Sequence, residues 1–363
     1  MSTLMQASTQ WATRPDDQRF ISLFDLDDHC QHARAHSAGR VLSSRALTAL
    51  PAPGTTNGLQ VAGPGGNPAE VSHWAFGQLA QRAGAPAGYL RTLPSALAAD
   101  NLNFGLRFNR DIEDLGVLLY RNGGPAELRA VTGPSYGRVW NSDITATLRK
   151  HFGDGLSGAF RVPGEFGRAV EVTKANTTLY ASDRDMFVFL ADEQNRIEIP
   201  NRRDGRSGSL ARGFFVWNSE VGSATFGIAS FLFDYVCCNR IVWGAQQYKE
   251  LKIRHTASAP DKFIEQVLPA LEDYSQSSAT GIVQTIARAQ AQRIEKVEEF
   301  LRNRFSKPQA TAIAAAHMED EGRPVETLWD AATGVTAYAR GIRFQDERVA
   351  LERQAGLILD MAD

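Results

Sequence analysis

Three groups of residues in this chain carry types and spacings that point to chemistry. His29, Cys30, His32 and His36 follow the sequence FDLDD, and on a helix the three imidazoles occupy positions i, i+3 and i+7 of one face. Three imidazoles on a face are the raw material of a zinc site, but this spacing matches none of the usual zinc patterns, and a solvated polar face accounts for it as well. No metal is expected. Nucleophilic catalysis needs a serine, cysteine or threonine beside a positioned base. No GxSxG elbow is present, and the histidines are scattered from His29 to His317. Cys238 beside Asn239 is the best thiol candidate, yet it follows the apolar run SFLFDYV, and a buried cysteine behaves as a small hydrophobe.

The third group is a basic stretch. RIEIPNRRDGRSGSLARG, from Arg196 to Gly213, holds Arg196, Arg202, Arg203, Arg206 and Arg212 against Glu198 and Asp204. From Arg196 to Arg254 there are nine Lys and Arg against five Asp and Glu, a local balance of +4. Aromatic residues, Phe214 and Trp217 among them, interleave with these cations. Single-strand grooves use that pairing: arginines along phosphates, rings under bases. The competing reading is a solvated hairpin over a core of rings, since period-two alternation turns half of them inward.

Positioning these groups requires particular elements. Residues 51–68 hold four Pro and five Gly and read as a turn-rich connection. No GxxxxGK[ST] is present and no GxGxxG follows a convincing strand, so no cofactor is expected. Helical spacing begins at Glu70, breaks at Gly84 and restarts at Pro86. GVLLYR and ELRAVT, separated by Asn122-Gly123-Gly124-Pro125, read as a hairpin, and Asn141-Ser142-Asp143 as the cap of a helix from Ile144 to about His151. Strands are expected around 156–162, 169–173 and 186–192, then a mobile basic loop, and a strand, turn and strand through Glu220-Val221-Gly222. After Ala257 the pattern is helical. Ile282, Ile286, Ala289, Ile294, Val297 and Leu301 form one long stripe, followed by helices around 309–318, 324–338 and 346–361.

Composition excludes several classes. The 363 residues are 43% hydrophobic and 22% charged, a globular balance with room for a sizeable core. With 39 Lys and Arg against 41 Asp and Glu the formal charge is −2, so the chain is not a uniformly basic nucleic-acid coat. Three cysteines, two of them adjacent, make no disulfide framework and fit a reducing cytoplasm. The first twenty residues lack the features of a secretory signal and read as a loose arm. The most apolar stretch, Phe214 to Trp243, is interrupted by Asn218, Glu220, Asp234, Asn239 and Arg240, which argues against a membrane span.

GFFVWNSEVGSATFGIASFLFDYVCCNRIVWG, with AGAPAGYLRTLP and ELRAVTGPSYGRVWNSDI upstream, resembles the phage- and plasmid-encoded domain-of-unknown-function family numbered nine hundred thirty-two, over about Ser72 to Gly244. The distinguishing pieces are the Asn218-Ser219-Glu220-x-Gly222-Ser223 turn, the Cys238-Asn239 pair, and Arg129, Tyr136 and Arg138. TLWDAATGVTAYAR resembles the family's Trp-containing tail, with Asp330 and Ala331 in place of a polar Tyr or Asn. The resemblance implies a mobile-element setting without naming a reaction. In outline the order of elements is also similar to ring-forming single-strand annealing proteins, a likeness of architecture alone.

The expectation is an α+β protein with a curved antiparallel sheet backed by helices: an N-terminal arm and connection over 1–69, a core domain over 70–255 and a helical region over 256–363. The leading expected function is single-stranded DNA binding that promotes annealing or recombination for a phage or plasmid, in the cytoplasm, by a homo-oligomer or ring. Arg196, Arg202, Arg203, Arg206 and Arg212 would hold phosphates, with Phe214 and Trp217 stacking on bases. The alternatives are a nucleic-acid-processing enzyme whose polar pocket contains Asn218, Glu220, Tyr136, Arg138 and Asn239, with Glu220 as base or metal ligand, and a regulatory protein whose helical tail binds a host partner.

Overall fold

A computed structural model describes residues 14–54, 58–109, 114–163, 171–200, 207–234, 240–241, 251–342 and 345–362. The chain starts with β1 (Arg19–Phe20) and α1 (Leu23–Ala35), whose N-cap Ser22 accepts from the Asp25 N–H and whose Leu23, Leu26 and Cys30 face the core. Then come β2 (Ser37–Ser43), β3 (Thr48–Pro51), β4 (Leu59–Ala62) and β5 (Ala69–Val71). Helices α2 (His73–Arg82), α3 (Ala87–Leu90) and α4 (Ser95–Phe108) precede the hairpin β6 (Asp114–Tyr120) and β7 (Glu127–Thr132). These six longer strands form an open sheet in the order β2-β6-β7-β5-β4-β3, antiparallel except for β5 against β7.

Residues 51–68 are therefore not only a connection. Their Pro and Gly mark turns between short strands, and buried Leu59, Val61 and Ala69 tie β4 and β5 to the core beneath α2 and α4. The N-terminal stretch is likewise anchored from Arg14 onward: β1 pairs with β9 (Leu179–Ala181), and Arg14 meets Asp185 at 2.5 Å. Residues 1–13 lie outside the described residues.

The second sheet follows α5 (Asn141–Phe152). It contains β8 (Phe160–Arg161), β9, β10 (Met186–Asp192), β11 (Ile197–Ile199), β12 (Gly208–Asn218), β13 (Phe226–Asp234), β14 (Arg240–Ile241) and β15 (Leu251–Ile253). Its path is β1-β9-β10-β12-β13-β14, with β8 on β10, β11 on β12 and β15 on β13. The basic stretch thus supplies β11 and the start of β12 rather than one continuous loop. Residues 201–206 lie outside the described residues.

Both faces of β10 and β12 are covered. Val188, Leu190, Phe214 and Val216 join α1 and α5 in one core, while Phe187, Phe189, Phe215, Trp217 and Phe231 form an aromatic layer on the opposite face. Gly227 permits that layer: a Cβ there would meet the Trp217 ring at 1.9 Å.

The helical remainder begins with α6 (Ala259–Lys262), continues through a π-helical turn (Phe263–Val267) into α7 (Leu268–Gln276), and packs Phe263, Leu271 and Tyr274 into the first core. The expected stripe from Ile282 to Leu301 divides into α8 (Thr280–Ala291) and α9 (Val297–Arg302). Between them Ile294 N–H donates to Glu326 and Gln292 accepts from Leu328 N–H, so the backbone leaves the helix for a partner segment. Helices α10 (Lys307–Glu321), α11 (Leu328–Arg340) and α12 (Gln345–Leu359) then build a core that also takes in Ile197, Ile199, Leu210 and Leu232 from the sheet.

Candidate functional site at the seam of the two sheets

The turn between β12 and β13 is where the sheets meet. Ser219 Oγ accepts from the N–H groups of Val221 and Ser223 and donates to the Arg184 carbonyl, and Gly222 takes φ +84° to close the turn. Helix α2 and the segment between β7 and α5 grip its backbone. Tyr136 Oη donates to Ser219 O at 2.9 Å, Arg138 Nε to Glu220 O at 2.7 Å, and Trp74 and Gln78 both donate to Val221 O.

Glu220 is 3% exposed, and both carboxylate oxygens are engaged. Oε1 accepts the Asn141 N–H at 2.9 Å, and Oε2 meets Arg129 Nη1 at 3.3 Å. The expected self-cap of α5 is replaced: no side-chain cap bond forms at its start, and Glu220 fills the N-terminus from outside, where the helix dipole favours an anion. Asn218 donates to Val139 O at 2.8 Å and Asn141 Oδ1 at 2.7 Å. Arg129 Nη2 also reaches Asp183 O at 3.0 Å.

This cluster opens onto a cavity of about 260 Å3 whose lining includes His29, Cys30, Glu127, Arg129, Asn141 and Glu220. Burial lowers the pKa of His29, helped by His32 and Arg129, so its imidazole is neutral near pH 7. Burial, then the Glu220 charge, pushes the Cys30 thiol far above its ordinary range, which keeps the proton on sulfur. Burial also raises the pKa of Glu127. The four residues of the His/Cys group divide into two pairs: His29 and the buried Cys30 line the cavity, and the rings of His32 and His36 stack at 4.1 Å.

The structure therefore brings together Asn218, Glu220, Tyr136 and Arg138, although of these four Glu220 lines the cavity and the other three hold the turn behind it, while Asn239 and the Cys237-Cys238 pair lie outside the described residues. The residues expected to bind DNA are placed differently. Arg212 is 4% exposed, paired through Nε with Asp192 at 2.9 Å, donating to Ser277 Oγ, and packed over Phe160 and Tyr274. Arg196 meets Glu193 at 2.5 Å. Phe214 packs among Phe152, Phe160 and Tyr274, and Trp217 stacks on Phe215, so neither ring is presented to solvent. The reason is a sheet covered on both faces, which buries both alternating rows of side chains. Arg202, Arg203 and Arg206 lie outside the described residues. Asn141 and His29 are among the cavity residues that sequence spacing did not attach to Glu220.

A family model described as "Domain of unknown function (DUF932)" matches residues 167–355, more than half of the 363 residues. The chain belongs to the DUF932 family. The matched span is shifted from the resemblance over Ser72 to Gly244: it takes in the Glu220 turn and most of the C-terminal helices, and leaves Arg129, Tyr136 and Arg138 upstream of it. The Glu220 turn is thus a DUF932 element, and the residues gripping it lie upstream of the matched span, on α2, β7, α5 and the segment between β7 and α5. Neither a curated protein nor a solved structure matches the chain.

Proposed function

We propose that this DUF932 chain is a nucleic-acid-processing protein of a phage or plasmid, with its working centre at the Glu220 cavity. The observation that carries the reading is a buried Arg129–Glu220 pair open to a cavity with the neutral imidazole of His29 beside it. Burying an ion pair costs several kcal/mol per ion before its own attraction is counted, roughly, so a pair facing a ligand-sized space points to use as well as to stability. The cavity is smaller than the ~300–1,000 Å3 of drug-sized sites, which suits a single unstacked base. Asp17, Glu127 and Asp183 also line it, and their charge would keep phosphates outside while a base enters. Arg129 and the Asn141 N–H would hold the Glu220 carboxylate in place, and His29 would accept or return the proton.

His29 is desolvated on its cavity side but keeps part of its surface in solvent and stands outside the core, so His29→Asn tests the role. Wild type is expected to convert a base in single-stranded DNA or RNA, assayed by mass spectrometry of digested oligonucleotides with and without divalent cations. The variant should turn over about 100-fold more slowly with an unchanged melting temperature. No conversion by wild type, or full activity in the variant, removes the enzymatic reading. Single-strand annealing by a homo-oligomer or ring is the second reading. It is favoured by the exposed Arg34 and the half-buried Arg138, Tyr136 and Trp140 beside the same turn, and would show as strand pairing without turnover.

A further inference from the structure

Arg34, exposed near the end of α1, lays its guanidinium over the Trp140 ring at 3.7 Å. Arg138 stands over the same indole at 5.3 Å and over Tyr136 at 5.4 Å. Tyr136 stacks on His255, with centroids 4.8 Å apart and planes 24° from parallel. Cations and rings thus alternate along a row assembled from α1, the segment entering α5 and the segment after β15. Trp140, Arg138, Tyr136 and His255 are half-buried and in part open to solvent. The row adjoins the cavity, since Ala33 and Asn141 line the cavity and are the chain neighbours of Arg34 and Trp140.

Its charge is uncompensated at close range. Among the described residues neither Arg34 nor Arg138 closes an ion pair; Asp143 feels Arg34 through space, and Arg138 feels the Glu220 charge from behind. Burial lowers the His255 pKa to about 4, so this ring is neutral near pH 7 and offers a stacking face rather than a charge. The positions are held firmly, because Tyr136 Oη and Arg138 Nε are both bonded to the Glu220 turn.

We propose that this row is a docking surface for single-stranded nucleic acid, on which a base displaces the Arg34 guanidinium from Trp140 and the freed guanidinium meets the adjoining phosphate. A duplex keeps its base faces internal and offers nothing to the indole, so the surface selects single strands. The proposal rests on the nucleic-acid reading above, though not on whether the cavity turns a base over.

The test is fluorescence anisotropy of the full chain with a labelled mixed-sequence DNA strand, its duplex, and an abasic strand of equal length, over a range of salt. Arg34→Ala should weaken binding and flatten the log K against log salt slope by about 0.7, the contribution of one released counterion on a single strand. Trp140→Ala should weaken the base-bearing strand about tenfold, the size of one base–aromatic stack, and leave the abasic strand unchanged. Trp140→Phe should retain most of the binding. If Trp140→Ala lowers the melting temperature, Arg34→Ala and Trp140→Phe carry the comparison. Wild-type binding that survives every row variant overturns the docking surface but keeps the nucleic-acid reading, above all if joint replacement of Arg202, Arg203 and Arg206 by Ala abolishes it. No binding by wild type at low salt overturns both.

Discussion

The Glu220 carboxylate shows how one residue can be read two ways. Its oxygens satisfy a helix N-terminus and a buried guanidinium, which is structural work, while one side lines a cavity. The two roles separate energetically. Glu220→Gln keeps much of the hydrogen bonding but leaves Arg129, 7% exposed, without its countercharge, and breaking such a pair from one side costs about 3–5 kcal/mol. Arg129→Met should cost a similar amount, and the double variant should recover part of the loss, because neither charge is then stranded. Urea denaturation of all four proteins measures this. Singles within about 0.5 kcal/mol of wild type, the level of an ordinary surface change, would mean the pair is solvated and the cavity wetter than its lining suggests. The sequence offered Glu220, Asn218, Tyr136 and Arg138 as pieces of the family resemblance, two from the turn and two from the hairpin and helix entry far upstream, and the structure brings these four together. It could not offer the partners of Arg212. Counting charge along Arg196–Arg254 treats Arg212 as available to phosphate, whereas Asp192, twenty positions earlier, reaches it only through the β10–β12 register that pairs Ala191 with Gly213.

At the scale of elements, alternation was legible and coverage was not. Period-two spacing over Phe214–Asn218 marked the second part of β12 as a strand and missed its start at Gly208, and a strand with one wet face and a strand buried on both carry similar patterns when both rows are aromatic. The second layer of Phe187, Phe189, Phe215, Trp217 and Phe231 makes β12 a central strand. Trp217→Ala is therefore expected to lower stability by about 3–5 kcal/mol, as truncation of a large buried ring does. Trp217→Phe should cost much less. Among the described residues the indole N–H has no hydrogen-bond partner, so its removal forfeits area but also deletes an unsatisfied donor. Thermal melts of both variants check this. Two nearly wild-type melting curves would place the ring at the surface and return it to the list of stacking candidates. The break between α8 and α9 was hidden for a related reason: the apolar stripe from Ile282 to Leu301 continues across it, and only the backbone bonds to Glu326 and Leu328 reveal the interruption.

The whole molecule is organised by contacts that composition does not mark. The shift to helical spacing near residue 256 suggested a separate C-terminal region, and helices do fill that part of the chain. They are not independent of the sheet. Phe263, Val267, Leu271 and Tyr274 complete the core under β10 and β12, and Tyr274 Oη donates to the Gly213 carbonyl at 2.9 Å. Farther on, α8 to α12 share a core with Ile197, Ile199, Leu210 and Leu232, which belong to β11, β12 and β13. A chain ending at residue 255 would leave both groups of sheet side chains in water. At about 25 cal/mol per Å2 of apolar surface, exposing even four large side chains forfeits several kcal/mol, a large share of the ~5–15 kcal/mol that holds a domain folded. We therefore expect the 1–255 fragment to aggregate or to lack a cooperative melt, and limited proteolysis of the full chain to yield no stable core ending near 255. Urea unfolding followed by tryptophan fluorescence should coincide with unfolding followed by far-ultraviolet circular dichroism, because Trp329 in α11 and Trp217 in β12 lie in cores linked through the same sheet. Two separated transitions, or a soluble 1–255 fragment with a sharp melt, would show instead that the helices dock on a sheet already stable without them, and the Glu220 seam would then fold independently of the C-terminal region.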